Sequence, residues 1–324
     1  MHRLINIIPT LRLIIIVCSA VCLSVPVSPA RPAESYRVAI VASSTRVEYQ
    51  QASQIIASEL QQANPGIVAQ KQIFDSGNGR EEEFWQRLAQ SNPDLVVTIG
   101  TEATQSAKRY ISNTPVVFSM VLDNYGSRLG EGDSRDFNGV TLEIPVDKQF
   151  EYINKVLPQA RRVGFIYGSK MEETYKMAVA AAKKQNIRLF SEKIASERDI
   201  PEALRRILPV IDAYWMPLDP MFFEEIVFRF MLPECFKNSV PIVSVYRHVV
   251  QAGIPLALGV DYEDISRQTA QIALRRLNGG RFASPVVDHP RKLVLYVNEA
   301  VASSLNIRIP AELNGQVIPV RSGS

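Results

Sequence analysis

The strongest constraint on how this chain folds is a pattern that occurs twice: short runs of Val and Ile alternating with longer stretches of helical period. In the first half the apolar runs are Arg37–Ala42 (RVAIVA), Ile67–Ile73, Asp94–Ile99 (DLVVTI) and Pro115–Met120 (PVVFSM). Helical stretches at Glu48–Gln62, Glu81–Gln90 and Glu102–Ile111 separate them. Strands that are apolar throughout, rather than alternating, have both faces covered, and strands interleaved with helices build parallel sheets. The second series repeats the plan. Strands are expected at Val163–Tyr167 (VGFIY), Ile187–Ile194, Asp212–Met216 (DAYWM) and Pro241–Val245, with helices at Met171–Gln185, near Ile200–Leu208 and at Phe222–Phe230. The expected fold class is therefore α/β: two Rossmann-like lobes, each a parallel sheet flanked by helices, joined by a hinge. A chain of 324 residues is long enough for two such cores.

Between the two series, Asp123–Asn138 is rich in Gly, Asp, Ser and Arg and reads as a surface loop before a crossover. Beyond it, Pro145 suits the first turn of a helix whose Phe150, Ile153 and Leu157 share one face. The best-marked helix follows Asp261. Glu263 and Asp264 open it, Ile265, Thr269, Ile272 and Leu277 recur at helical spacing, and Arg275 and Arg276 precede a Gly279-Gly280 stop. The expected partition gives residues 36–142 plus 261–285 to one lobe and 143–260 plus 286–313 to the other. Residues 314–324 are left as a tail.

The first 30 residues read as a signal peptide for export. Arg3 and Arg12 supply a positive start, Leu13–Leu23 (LIIIVCSAVCL) an apolar stretch too short to span a bilayer, and Val25–Ala30 a small-residue cleavage site after Ala30. Cys18 and Cys22 leave with that segment, so Cys235, in the apolar context FRFMLPECF, has no internal partner and is expected to be a buried thiol. The remaining chain carries 34 basic against 33 acidic side chains, with no basic cluster to attract nucleic acid.

Signatures of catalysis are missing from the sequence: there is no GxxxxGK[ST] loop, no GxGxxG after a strand and no GxSxG elbow. His248 and His289 lie far apart and lack the neighbouring Cys or His of a zinc motif. The chain is accordingly expected to be no enzyme, to hold no metal and to need no cofactor. Ligands of open α/β sheets bind beyond the carboxyl ends of the strands, so the residues delivered there are the candidates. The first lobe offers Ser43, Ser44 and Tyr49, then Gly100-Thr101, then Val121 and Asp123; the second offers Tyr167, Ser169, Asp219 and Arg247. Asp261, before its helix, completes the set. Hydroxyls and free N–H groups at helix starts suit a carboxylate, Asp suits an ammonium, and aromatic and Met surface suits an apolar group. Thr101, Ser169 and Asp261 also read as plain helix caps.

The order of these motifs is familiar as a whole. Thr114–Asp123 (TPVVFSMVLD), Gly139–Gln149 (GVTLEIPVDKQ) and Leu157–Gly164 (LPQARRVG) come in sequence. They are followed by Trp215–Asp219 (WMPLD), Gly253 leading to Leu256-Ala257-Leu258, Asp261-Tyr262 with Arg267-Gln268, and Pro290–Leu293. This series resembles the ABC transporter substrate-binding protein family with the type I periplasmic-binding fold, the group that includes tryptophan- and tyrosine-type uptake proteins. The resemblance implies two lobes closing on a small organic ligand, amino-acid-like by preference, delivered to a permease and ATPase complex in the inner membrane. It implies ligand positions at Ser43, Ser44, Thr101, Val121–Asp123, Tyr167–Ser169, Asp219 and Asp261. With a cleaved, unlipidated signal peptide, a free periplasmic protein is expected, and a monomer. The sequence Gly168-Ser169-Lys170-Met171 departs from the Asn-Pro turn of many relatives. A periplasmic sensing module on the same fold, or an enzyme on the same lobes, are the alternative uses.

Overall fold

In the computed structural model, residues 35–122, 137–217, 225–280 and 286–321 are described. The chain starts as the sequence pattern requires: β1 (Tyr36–Ala42), α1 (Val47–Ala63), β2 (Ile67–Ile73), α2 (Glu81–Gln90), β3 (Leu95–Ile99), α3 (Thr101–Tyr110), β4 (Val116–Val121) and β5 (Phe137–Thr141). It then crosses to a second series: α4 (Val146–Val156), β6 (Arg162–Tyr167), α5 (Glu172–Lys184), β7 (Arg188–Lys193), α6 (Ile200–Ile207), β8 (Ala213–Met216), α7 (Glu225–Lys237), β9 (Ile242–Ser244), α8 (Arg247–Gln251) and β10 (Leu256–Val260). The remainder is α9 (Tyr262–Leu277), β11 (Val287–Asp288), β12 (Leu293–Val297), α10 (Glu299–Ser304) and β13 (Val317–Pro319).

The strands form two sheets. The first has the order β11-β5-β4-β3-β1-β2 and every pairing in it is parallel. In the second, β13-β12-β10-β9-β8-β6-β7, the strands from β6 to β10 are parallel and β12 turns antiparallel to β10. Both contain the same doubly wound kernel, β2-β1-β3-β4-β5 in one and β7-β6-β8-β9-β10 in the other. Such sheets bind at the carboxyl edge, where connections leave to opposite faces.

Each sheet is buried on both faces. On one face of the first, Ile40, Val97 and Val117 pack with Ile56 and Leu60 of α1 and with Ile265 and Ile272 of α9. On the other, Val41 and Val96 meet Trp85 and Leu88 of α2 and Ala103 and Ala107 of α3. The second sheet places Val163, Phe165 and Trp215 under α4 and α5, and Ile166, Tyr214 and Ile242 under α6 and α7. Close approach selects glycine at one point in the first sheet: a Cβ on Gly139 would stand 2.0 Å from the Phe118 carbonyl oxygen. Cys235 is buried, and burial pushes its thiol up to about 12.

Three segments pass between the sheets. One follows β5 and leads to α4, which packs on α5 beside the second sheet. A second follows β10 and leads back to α9, which packs on α1, β4 and β5 of the first. The third joins β11 to β12. Several boundaries differ from expectation. Phe137 and Asn138, assigned to the loop, belong to β5, because their backbone pairs with Val116 and Val117. Val287 and Asp288, placed with the second lobe, add to the first sheet beside Gly139 and Val140. Val317–Pro319, left in the tail, pair with Leu295–Val297 of the second sheet. The signal-peptide reading of residues 1–30 falls outside the described residues. No described helix is long and apolar enough to cross a membrane.

Candidate functional site

A cavity of about 220 Å³ lies where the crossovers pass and both sheets present their carboxyl ends. From the first sheet's side come Leu122, just past β4, and Leu142, Glu143 and Ile144 of the first crossover. The second lobe contributes Val146 and Gln149 of α4, Met171 and Met177 at α5, Pro217 past β8, and Val245–His248 past β9. Gly259 and Val260 at the end of β10, Tyr262 at the start of α9 and Tyr296 of β12 close it.

The wall has three chemical characters. Its cationic corner is Arg247, exposed at the first turn of α8, with its guanidinium 5.8 Å from the centre of the Tyr296 ring. Beside it His248 sits against Tyr246, ring centres 5.2 Å apart. Although much of His248 faces solvent, the surrounding protein lowers its pKa from the usual histidine value by desolvation. Tyr262 and Tyr296 form an aromatic corner. Burial pushes Tyr262 up to about 12 and raises Tyr296, so both are neutral hydroxyls at physiological pH. Leu122 and Met177, both more than two-fifths exposed, and Met171 make the apolar side.

Gln149 is the buried polar group in this wall, and its orientation is fixed by chemistry. The Trp215 indole N–H, which can only donate, gives a hydrogen bond to its Oε1 at 2.8 Å. Its Nε2 donates to the Ile144 carbonyl at 2.7 Å. The amide therefore cannot be flipped without losing both bonds.

Of the residues expected at the site, Arg247 lines this cavity. Ser43 is buried and ties β1 to its neighbours, donating to the Ile99 carbonyl and accepting from the Ala103 N–H, both at 2.9 Å. Val121 is in the core of the first sheet. Tyr167 is buried too, stacked between Phe165 at 5.2 Å and Tyr175 at 4.8 Å. These three side chains serve packing because both faces of their strands are covered. Ser44, Tyr49, Thr101 and Ser169 stand at the carboxyl edges of the sheets, outside the cavity. Thr101 is no cap: Gly100 holds that position at φ 92°, and the Thr101 hydroxyl accepts from the Leu122 N–H at 3.2 Å. Ser169 likewise opens a single 3₁₀ turn without capping it. Asp261 does cap, its Oδ1 accepting from the Glu263 and Asp264 N–H groups at 3.0 Å each, while its Oδ2 pairs with Lys292 at 2.5 Å. Asp123 and Asp219 lie outside the described residues. Sequence reasoning missed Gln149, Tyr262, Tyr296 and the two methionines. Tyr262 was signalled by its place directly after a strand and the capping Asp261, the spot where a crossover must pass the cleft.

Two sheets of one doubly wound order, three crossovers between them and a cavity at those crossovers define a two-lobed binding protein of the type I periplasmic fold. The chain belongs to the ABC transporter substrate binding protein family, whose sequence profile matches residues 32–318. A tyrosine-binding protein of Clostridioides difficile is 21% identical over 229 residues, which make up 68% of this chain and 66% of that one. Two solved structures share the fold at 18% identity. One is an ABC domain of Streptococcus pneumoniae in complex with L-Trp, covering 89% of this chain and all of its own, at a TM-score of 0.57. The other is the ligand-free, open structure of a substrate-binding protein with adhesive properties from Clostridium difficile, covering 89% and 99%, at 0.72.

Proposed function

We propose that this protein is the exported solute-binding component of an ABC importer, and that it captures an amino-acid-like ligand in the cavity at the crossovers. The observation that carries the reading is the composition of that wall: one exposed arginine, neutral tyrosines and an apolar flank of Leu and Met, drawn from both lobes. Arg247 presents the planar donor fork that matches a carboxylate. Glu143, on the first crossover, also lines the cavity and adds a carboxylate to its wall. Tyr262, Tyr296, Met171 and Met177 offer surface to an apolar side chain. The L-Trp complex and the tyrosine-binding relative support an amino acid as the ligand class.

A ligand that touches both lobes favours the conformation in which they approach, by its differential affinity for that state. That conformation is what a permease and ATPase complex in the inner membrane would recognise. This is a binding role, in which no bond of the ligand is broken. Isothermal titration of the mature protein against the twenty amino acids, repeated with Arg247→Ala, tests it. Heat of binding with one chemical subset, lost in the variant, is the expected result. Silence across the set sinks the amino-acid reading.

A further inference from the structure

The hinge carries a polar arrangement that its own side chains leave incomplete. On α9, Asp264 and Gln268 are one helical turn apart and so share a face. Gln268 is 4% exposed; its Nε2 donates to the His289 carbonyl at 3.0 Å, and no protein donor reaches its buried Oε1. The buried Oδ2 of Asp264 has no hydrogen-bond donor either; the nearest cation is the Arg291 Nε, at 3.8 Å, beyond bonding range. Arg291 is held in place from its other side, its Nη1 donating to Gln271 Oε1 at 3.2 Å. Two buried acceptors one helical turn apart are thus left without a donor, and one cationic N–H lies just beyond bonding range of the first. Leaving a buried acceptor unmet costs stability, and a polar contact beyond 3.5 Å between such groups is the usual setting for a bridging water.

We propose that a single ordered water joins these groups, donating to Asp264 Oδ2 and Gln268 Oε1 and accepting from Arg291 Nε. Three polar partners match what a buried water holds. The donor–acceptor count selects water over the other small candidates. A metal ion would suit the two oxygens but faces the Arg291 cation, and an ammonium ion cannot accept from Arg291. The site matters through its position. Arg291 and Lys292 are on the third crossover, and α9 packs on the first sheet. The Asp261–Lys292 pair and the bond from the Asp261 N–H to the Lys292 carbonyl, at 3.1 Å, already bind the second crossover to the third. The water would fasten this joined pair to the first lobe, confining lobe rotation to the segment beyond Lys292. This role rests on the closing motion proposed above; the water site itself does not.

A crystal structure of the ligand-free protein at a resolution that shows solvent tests the site without any ligand. A peak within hydrogen-bond distance of all three atoms is expected. A direct Asp264–Arg291 bond with no peak, or a metal there, overturns the proposal. Gln268→Leu should remove the peak and speed hydrogen exchange at the Asp261 amide on the order of tenfold, the worth of one buried hydrogen bond. Should that variant not fold, Asp264→Asn tests the same point, since its amide can donate to Gln268 directly and expel the water. Unchanged exchange in both folded variants, with the peak lost, overturns the clamp.

Discussion

Arg247 and Asp261 both carry charge beside the crossovers, and their surroundings give them opposite tasks. Arg247 is exposed, and its guanidinium lies over the Tyr296 ring. Arg247→Ala should lower ligand affinity about 10- to 100-fold, the range for one charged hydrogen bond, and leave the melting temperature within about 1 °C. Titration calorimetry and a thermal melt of the same sample separate the two effects. Asp261 is occupied by two backbone N–H groups and Lys292. Its replacement by Ala should cost about 1 kcal/mol of folding stability through the lost cap, readable in a urea midpoint. Any loss of affinity then follows from a loosened hinge. Acid sensitivity comes from the same kind of residue. The Arg162 guanidinium, with the Arg161 and Arg162 N–H groups, holds Asp212 below its usual value against a smaller opposing effect of burial. For Asp261 burial alone would raise the value, but Lys292 and the two N–H groups outweigh it. Both folded-state values are depressed, so the stability they contribute is present above the ordinary value of 3.8 and is lost as pH falls through the lowered ones. Asp212→Asn should therefore destabilise more at pH 7 than at pH 3. An equal effect at both would mean that the shift is not what stabilises.

The β10–β12 ribbon shows how one strand pairing sets the shape of the cavity. Gly259 lies beneath the Tyr296 ring; a Cβ there would stand 2.2 Å from Cε2 of that ring. Gly259→Ala must displace Tyr296, which faces both the cavity and Arg247. The expected outcome is weaker binding together with a destabilisation of about 1–3 kcal/mol from overpacking. A crystal structure showing the ring unmoved would contradict it. Strands like β1, β3 and β4 were legible in the sequence because burial on both faces leaves them uniformly apolar. β5, reading FNGVT, was not, since its place in the sheet rests on backbone pairing and on the close approach of Gly139 to Phe118. The two-residue β11 and the β13 segment carry too few residues for any period to show. The candidate site was less legible than the fold for a related reason. Side chains at strand ends were nominated by position alone, but which of them turn inward depends on packing: Ser43, Val121 and Tyr167 do, and Arg247 does not. Gln149 was beyond reach because its role depends on Trp215, 66 residues away in sequence.

Each sheet has cores on both faces, and the three crossovers carry the chain between them. Leu258, Val260 and Leu293, from the second sheet's strands, join the core beneath α1 and α9. The cores are coupled only through those few residues near the crossovers, so the ligand-free lobes need not melt in one transition. A ligand seated at the crossovers changes this, because it is bound only while both walls exist. At a concentration 100 times its dissociation constant it adds about 2.7 kcal/mol to the folded state. For a chain of this size, where 1 kcal/mol corresponds to about 2–4 °C, the melting temperature should rise by roughly 5–10 °C. The rise should come with a sharper transition, since the second lobe can no longer melt while the first stays bound. Calorimetry over a range of ligand concentrations distinguishes this from binding to one lobe alone. If the ligand moves only part of a divided melting curve, it is held by a single lobe, and the cavity at the crossovers is not where it binds.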